Sequence, residues 1–155
     1  FFIQIYIQED YKILKSSDEN KFIWIGRGYP YRWILIYKDQ SVYYEDPFQS
    51  WDRLQLKYNN ILDVEIMPYE RAFERKNINN IDAKRLYGVF GTKIDSDNPT
   101  GGPFLSYVFN QNKSNEVLVA SGFVNFPGGN KVFHIKELEY IFDNINFKKG
   151  IIDYE

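Results

Sequence analysis

Cysteine is absent from the 155 residues, so no disulfide, thiolate metal site or cysteine nucleophile can be built. An excess of one charge is missing too: 19 basic against 21 acidic side chains leave a formal net charge of -2. That balance supplies no long-range field for nucleic acid or an anionic membrane and argues against a ribosomal or DNA-binding role. No apolar run approaches the roughly 20 residues that a membrane-spanning helix needs. The opening Phe1-Phe2-Ile3-Gln4-Ile5-Tyr6-Ile7-Gln8 has neither the basic stretch nor the small-residue cleavage site of a signal peptide. Alanine is confined to Ala72, Ala83 and Ala120, and His134 is the single histidine.

Aromatic residues are abundant instead, with 13 Phe, 13 Tyr and 3 Trp making 19% of the chain. An AT-rich genome enriches Phe, Ile, Asn, Lys and Tyr without functional pressure. Aromatics also favour strands, and exposed Tyr or Trp favour interfaces and sugar contacts. The length suits one domain, whose core can bury about two-thirds of the surface that the unfolded chain exposes.

Phe1, Ile3, Ile5 and Ile7 alternate with Phe2, Gln4, Tyr6 and Gln8, the period-two signature of a strand. A chain that starts without Met inside such a pattern is expected to be cut from a longer protein. After a polar turn at Ser16-Ser17-Asp18-Glu19-Asn20, the runs Phe22-Ile23-Trp24-Ile25 and Trp33-Ile34-Leu35-Ile36-Tyr37 predict two more strands. Asp46 as cap, Pro47 at the first helical position and Gln49 behind them open a helix. Trp51, Leu54, Tyr58, Ile61 and Leu62 give it an apolar stripe.

Val64-Glu65-Ile66-Met67 is either the last turn of that helix or a short strand, and the Asn-rich stretch 69–84 reads as a connection with one irregular helical turn. Strands follow at Arg85 to Gly91, Phe104 to Phe109 and Glu116 to Phe126, then a helix from about Lys131 to Asn144 with Asn130 as a cap. The expectation is an α+β domain with an antiparallel sheet of about six strands and two main helices packed on it, in the order βββα-βββα. It spans 1–155, with halves at about 1–68 and 84–147 and a tail at 148–155. Both faces of the 116–126 strand offer apolar residues, so a second cover over the sheet is expected.

These segments resemble an uncharacterised family of Bacteroidetes envelope lipoproteins, a domain of unknown function. The likeness extends over nearly the whole chain and is carried best by Gly101-Gly102-Pro103-Phe104-Leu105-Ser106-Tyr107, by Gly122-Phe123-Val124 with Phe126-Pro127, and by Leu138-Glu139. Thr100 stands where the family usually has Met, and Arg85-Leu86-Tyr87-Gly88 where it has Arg-Gly-Leu-Trp. The resemblance is to the second half of such proteins. It implies a missing N-terminal half, a lipid anchor outside this stretch and a place in the periplasm or at the outer membrane. It brings no activity, cofactor or catalytic residue.

Among the candidate sites, Gly101 and Gly102 permit close backbone approach, and Pro103 fixes entry to a strand that carries Phe104 and Tyr107. This is a tight turn or bulge, or alternatively a loop whose amides meet a ligand. Arg27, Tyr29, Arg32 and Trp33 cluster fork-shaped donors with aromatic faces, which suits carboxylates, sugars or a protein partner. His134 falls on the helical stripe and reads as a core-edge residue, and Ser106 and Ser121 lack the nucleophile-elbow spacing. Asp95, Asp97 and Asn98 form a solvated turn rather than a calcium loop. No catalytic residue, metal or cofactor is expected.

The preferred expectation is a non-enzymatic envelope module that docks onto a protein partner, or onto its own missing half, through aromatic sheet surface. The alternative is a small-ligand domain, for glycans or lipids, using Arg27, Tyr29, Arg32, Trp33, Gly101 and Gly102.

Overall fold

The computed structural model describes residues 2–92, 101–111 and 114–148. Among them the chain forms ten strands and two α-helices: β1 (Phe2–Gln4), β2 (Lys12–Ser17), β3 (Phe22–Arg27), β4 (Tyr31–Gln40), α1 (Pro47–Leu62), β5 (Val64–Ile66), β6 (Ala72–Ile78), β7 (Ile81–Thr92), β8 (Gly101–Asn110), β9 (Glu116–Asn125), α2 (Val132–Asp143) and β10 (Asn146–Lys148). The expected six strands in two βββα units are therefore overturned. The domain is mostly β, a curled antiparallel half-barrel in the order β2-β3-β4-β9-β8-β7-β5, with β6 also on β7 and β1 pairing β10 as a separate ribbon.

The elements that break the expected repeat are β2, β6 and β10. The first two are edge strands that are mostly exposed, β6 burying only Ile78, so their sequences, KILKSS and AFERKNI, lack the apolar alternation that reveals a half-buried strand. Lysines and a bulge between Ile13 and Lys15 are devices that keep such an edge from pairing with another chain.

Period-two geometry sends alternate residues of the central strands to opposite faces. From β4, Ile34 and Ile36 point to one side and Leu35 and Tyr37 to the other; β9 divides likewise into Leu118, Ala120 and Val124 against Val117, Val119 and Phe123. Helix α2 covers the first face with Leu138, Ile141 and Phe142, and α1 covers the second with Trp51, Leu54, Tyr58 and Leu62. The cover expected over the two-sided strand is thus the protein's own pair of helices, one on each face.

Helix α1 begins as its sequence dictates. The Asp46 carboxylate accepts from the Gln49 amide at 2.9 Å, with Pro47 in the first position. It stops where Asp63 turns left-handed (φ 56°), and three residues of β5 follow. Ahead of α2 the Asn130 side chain accepts from the Val132 amide at 3.0 Å.

Candidate functional site

The eight residues singled out from the sequence do not converge. Trp33 lies on the α1 face against Trp24 (5.9 Å between centroids), Phe90 and Phe123. Phe104 is buried on that same face between Tyr58 and Phe123. Tyr107 points to the other face, donating to Asp143 at 2.8 Å and accepting from Arg85 at 3.2 Å. Gly101 and Gly102 sit inside β8, paired with Gly91 and Phe90 of β7. A Cβ on Gly102 would collide with the Val124 carbonyl oxygen, so this glycine serves strand packing.

Arg27, Tyr29 and Arg32 do come together, where the β3–β4 hairpin meets the start of α2. Strand alternation puts both arginines on the α2 face. Buried Arg32 donates through Nη1 to Glu137 Oε1 at 3.0 Å and through Nε to the Pro30 carbonyl at 2.9 Å. Arg27 lies 3.7 Å from the same Glu137 oxygen and 2.9 Å from Asp10, and it stacks 5.6 Å from the Tyr11 ring centroid. Burial pushes the Tyr11 hydroxyl up to about 12 although the two guanidiniums oppose the shift. Each arginine is thus already matched by a carboxylate.

His134 completes this end. Its Nδ1 is 3.4 Å from Arg32 Nη1, a donor, so this nitrogen acts as the acceptor of a neutral ring. Burial and then the Arg32 charge hold the imidazole below its ordinary value.

At the same end the rings form a continuous series. Tyr31 contacts Tyr29 (5.7 Å), Tyr29 contacts Phe126 (5.4 Å), Phe126 contacts His134 (5.5 Å) and His134 contacts Phe133 (5.4 Å), each edge to face. Tyr29 is 63% exposed and Phe133 66%. Phe133 and Phe126 are not singled out as site residues by the sequence, because nothing local in it brings the end of β9 beside the start of α2; an apolar residue outside the α2 stripe is the available signal for Phe133.

Two further polar clusters lie under α1. Asp39 accepts both forks of Arg53 at 2.7 and 2.9 Å and the Tyr44 hydroxyl at 2.8 Å. Burial raises the carboxyl, but Arg53, Tyr44 and the Gln40 amide outweigh it and hold Asp39 below its ordinary range. Tyr58 donates to Ser121 at 2.6 Å, and Ser121 lies 2.9 Å from Ser106. These serines satisfy one another in the core. Asp95, Asp97 and Asn98 lie outside the described residues. Among the described residues no cluster of metal-ligating side chains occurs, and no helix is long and apolar enough to cross a membrane.

Two cavities of about 530 Å³ flank the β2–β3 hairpin, one on each face of the sheet. The α2-side groove has an apolar floor of Ile3, Ile23, Ile36 and Leu118, and at its rim Lys21 is paired with Glu116 at 3.1 Å. The α1-side cleft is polar.

Residues 1–144 match the model of a family described as a domain of unknown function (DUF4837). No curated protein sequence matches the chain. Among solved structures, the fold is similar to LpqN of Mycobacterium tuberculosis, described as involved in cell envelope biogenesis. That likeness has 11% identity and a TM-score of 0.52, and covers 95% of this chain and 83% of LpqN. A protein from Bacteroides thetaiotaomicron VPI-5482 aligns at 14% identity with a TM-score of 0.45, covering 95% of this chain and 45% of its own. At these identities the likeness is one of fold.

Proposed function

The chain belongs to the DUF4837 family, and from that premise we propose that it is a non-enzymatic module of the cell envelope that docks onto a protein partner. The docking surface is the aromatic end formed by the β3–β4 hairpin and the start of α2, since the faces of the central strands are taken by α1 and α2.

The observation that carries this reading is the series Tyr31, Tyr29, Phe126, His134 and Phe133 at centroid spacings of 5.4–5.7 Å. Large aromatics are enriched where proteins bind one another, and rings already fixed by their neighbours lose little conformational freedom on association. The Arg27–Glu137 and Arg32–Glu137 ion pairs hold the hairpin to α2 and adjoin that surface where Arg32 meets His134 at 3.4 Å, while Arg27 also pairs with the exposed Asp10. The arginines work as scaffold and the rings as contact. His134 has a guanidinium rather than a carboxylate beside its Nδ1, an arrangement that does not enhance basicity.

The envelope setting is supported by the likeness in fold to LpqN and by the resemblance to Bacteroidetes envelope lipoproteins. A periplasmic or outer-membrane-associated location, with a lipid anchor outside this stretch, is part of the same proposal. Photo-cross-linking in cells tests it. A benzoylphenylalanine at position 133 should give one discrete protein adduct, one at the exposed Glu65 of β5 should give none, and Tyr29→Ser should remove the adduct without shifting the melting temperature. No adduct from position 133, or an adduct that survives Tyr29→Ser, would overturn the reading.

A further inference from the structure

We propose that the cleft between the β2–β3 hairpin and α1 binds a small anion carried on a hydroxylated ring, a sugar acid or a sugar phosphate. This cleft is on another surface from the aromatic end and stands independently of the docking reading.

Its origin is architectural. Helix α1 packs over the sheet through Trp51, Leu54 and Tyr58, and the β2–β3 hairpin forms the edge of that sheet beside it. Between them lies a space of about 530 Å³, within the range of ligand clefts, about 300–1,000 Å³. The hairpin contributes Lys15, Ser16, Ser17 and Asn20 to one wall, α1 contributes Lys57 and Asn60 to the other, and Phe22 and Ile61 make the apolar part.

The chemistry of that lining is one-sided. No carboxylate contributes to it. Neither Lys15 nor Lys57 takes part in an ion pair among the described residues. Two lysines without a salt bridge among the described residues therefore line one cleft in a protein whose net charge is -2. Lys57 is positioned as well as charged, with its Nζ 5.6 Å from the Tyr37 ring centroid. The groove on the opposite face contrasts with this, because there Glu116 answers Lys21.

An anionic group would receive charge-assisted hydrogen bonds from the two lysines. The side-chain amides of Asn20 and Asn60 and the hydroxyls of Ser16 and Ser17 offer donors and acceptors to ring hydroxyls, and Phe22 gives the apolar face of a sugar ring a surface to pack on. An extended lipid chain finds too little apolar wall here.

The test is an amide NMR titration of the 155-residue chain with glucuronate, glucose 6-phosphate, glucose and inorganic phosphate. One or both acidic sugars should give saturable shifts confined to residues 15–22 and 57–61, and the preferred acid tells a sugar acid from a sugar phosphate. Glucose and inorganic phosphate should each bind at least about tenfold more weakly. Lys15→Gln and Asn60→Asp, both at exposed positions, should each weaken the preferred sugar about tenfold without changing the melting temperature. Lys57→Gln should do the same but also removes a positive charge acting on Asp39, so its melting temperature is read beside its affinity. The proposal is overturned if neither acidic sugar saturates, if inorganic phosphate binds as tightly as the sugars, or if Lys15→Gln and Asn60→Asp leave the affinity unchanged.

Discussion

Asp39 is buried on the α1 face, where an ionised carboxylate survives only with several partners. Arg53 reaches it bidentately from α1, so the pair fixes the helix to β4 as well as neutralising the charge. Its carboxyl is held below the ordinary 3.8, so the unfolded chain binds this proton more readily than the folded one. The stability it contributes is present above 3.8 and is lost as pH falls below that value toward the folded one. Asp39→Asn should lower stability at neutral pH by about 2 kcal/mol, less than the ~3–5 kcal/mol of a fully enclosed pair because Arg53 keeps some contact with water. It should also flatten the acid limb of a urea-midpoint against pH curve; an unchanged limb would remove Asp39 from the account. Glycine 102 makes the second residue-scale case. Gly102→Ala puts a methyl group into the Val124 carbonyl and should cost about 3 kcal/mol by overpacking. Gly28→Ala, with open space around it, should stay within about 0.5 kcal/mol, as urea midpoints at constant slope would show.

Helix α2 is held by more than its apolar stripe. Its acidic residues reach strands on either flank of the α2 face, Glu137 to Arg32 of β4 and Arg27 of β3, Glu139 to the Tyr87 hydroxyl of β7 at 2.9 Å, and Asp143 to Tyr107 of β8 and Lys76 of β6. Glu137→Gln leaves buried Arg32 without its carboxylate and should cost about 1–3 kcal/mol. Amide exchange should quicken in the first turns of α2 before its last turn, and uniform quickening would argue against a local latch. The two helices were legible because their signals are local: Asp46 and Pro47 set the start of α1, and the spacing of Leu138, Ile141 and Phe142 set the core face of α2. What stayed hidden depends on long-range pairing. The opening alternation suggested one strand to Gln8, but β1 stops at Gln4 once β10 ends the ribbon. Lys12 to Lys15 carry no strand signal, and Ser16 and Ser17 read as part of a turn, because an edge strand buries almost nothing. Arg27 and Arg32 were found as a cluster, whereas Glu137, more than a hundred residues away, could be placed beside them only by the fold.

Strands β4, β8 and β9 each supply side chains to both cores, so the molecule has two apolar layers sharing one sheet. That sharing predicts cooperative behaviour. Loss of α2 uncovers Leu118, Ala120 and Val124, and β9, which carries them, also holds Val117, Val119 and Phe123 against α1. One layer has little means of melting while the other persists, so unfolding is expected to be two-state. All three tryptophans, Trp24, Trp33 and Trp51, lie on the α1 side, which makes their fluorescence a reporter of that layer alone. Leu138 belongs to the opposite layer, fully buried and seated over Gly122. Leu138→Ala should cost about 2–5 kcal/mol, and the fluorescence midpoint in urea should shift by the same amount as the far-ultraviolet circular dichroism midpoint. If fluorescence keeps its wild-type midpoint while the dichroism splits into two steps, the α2 layer is a separate unit and the shared-sheet account fails.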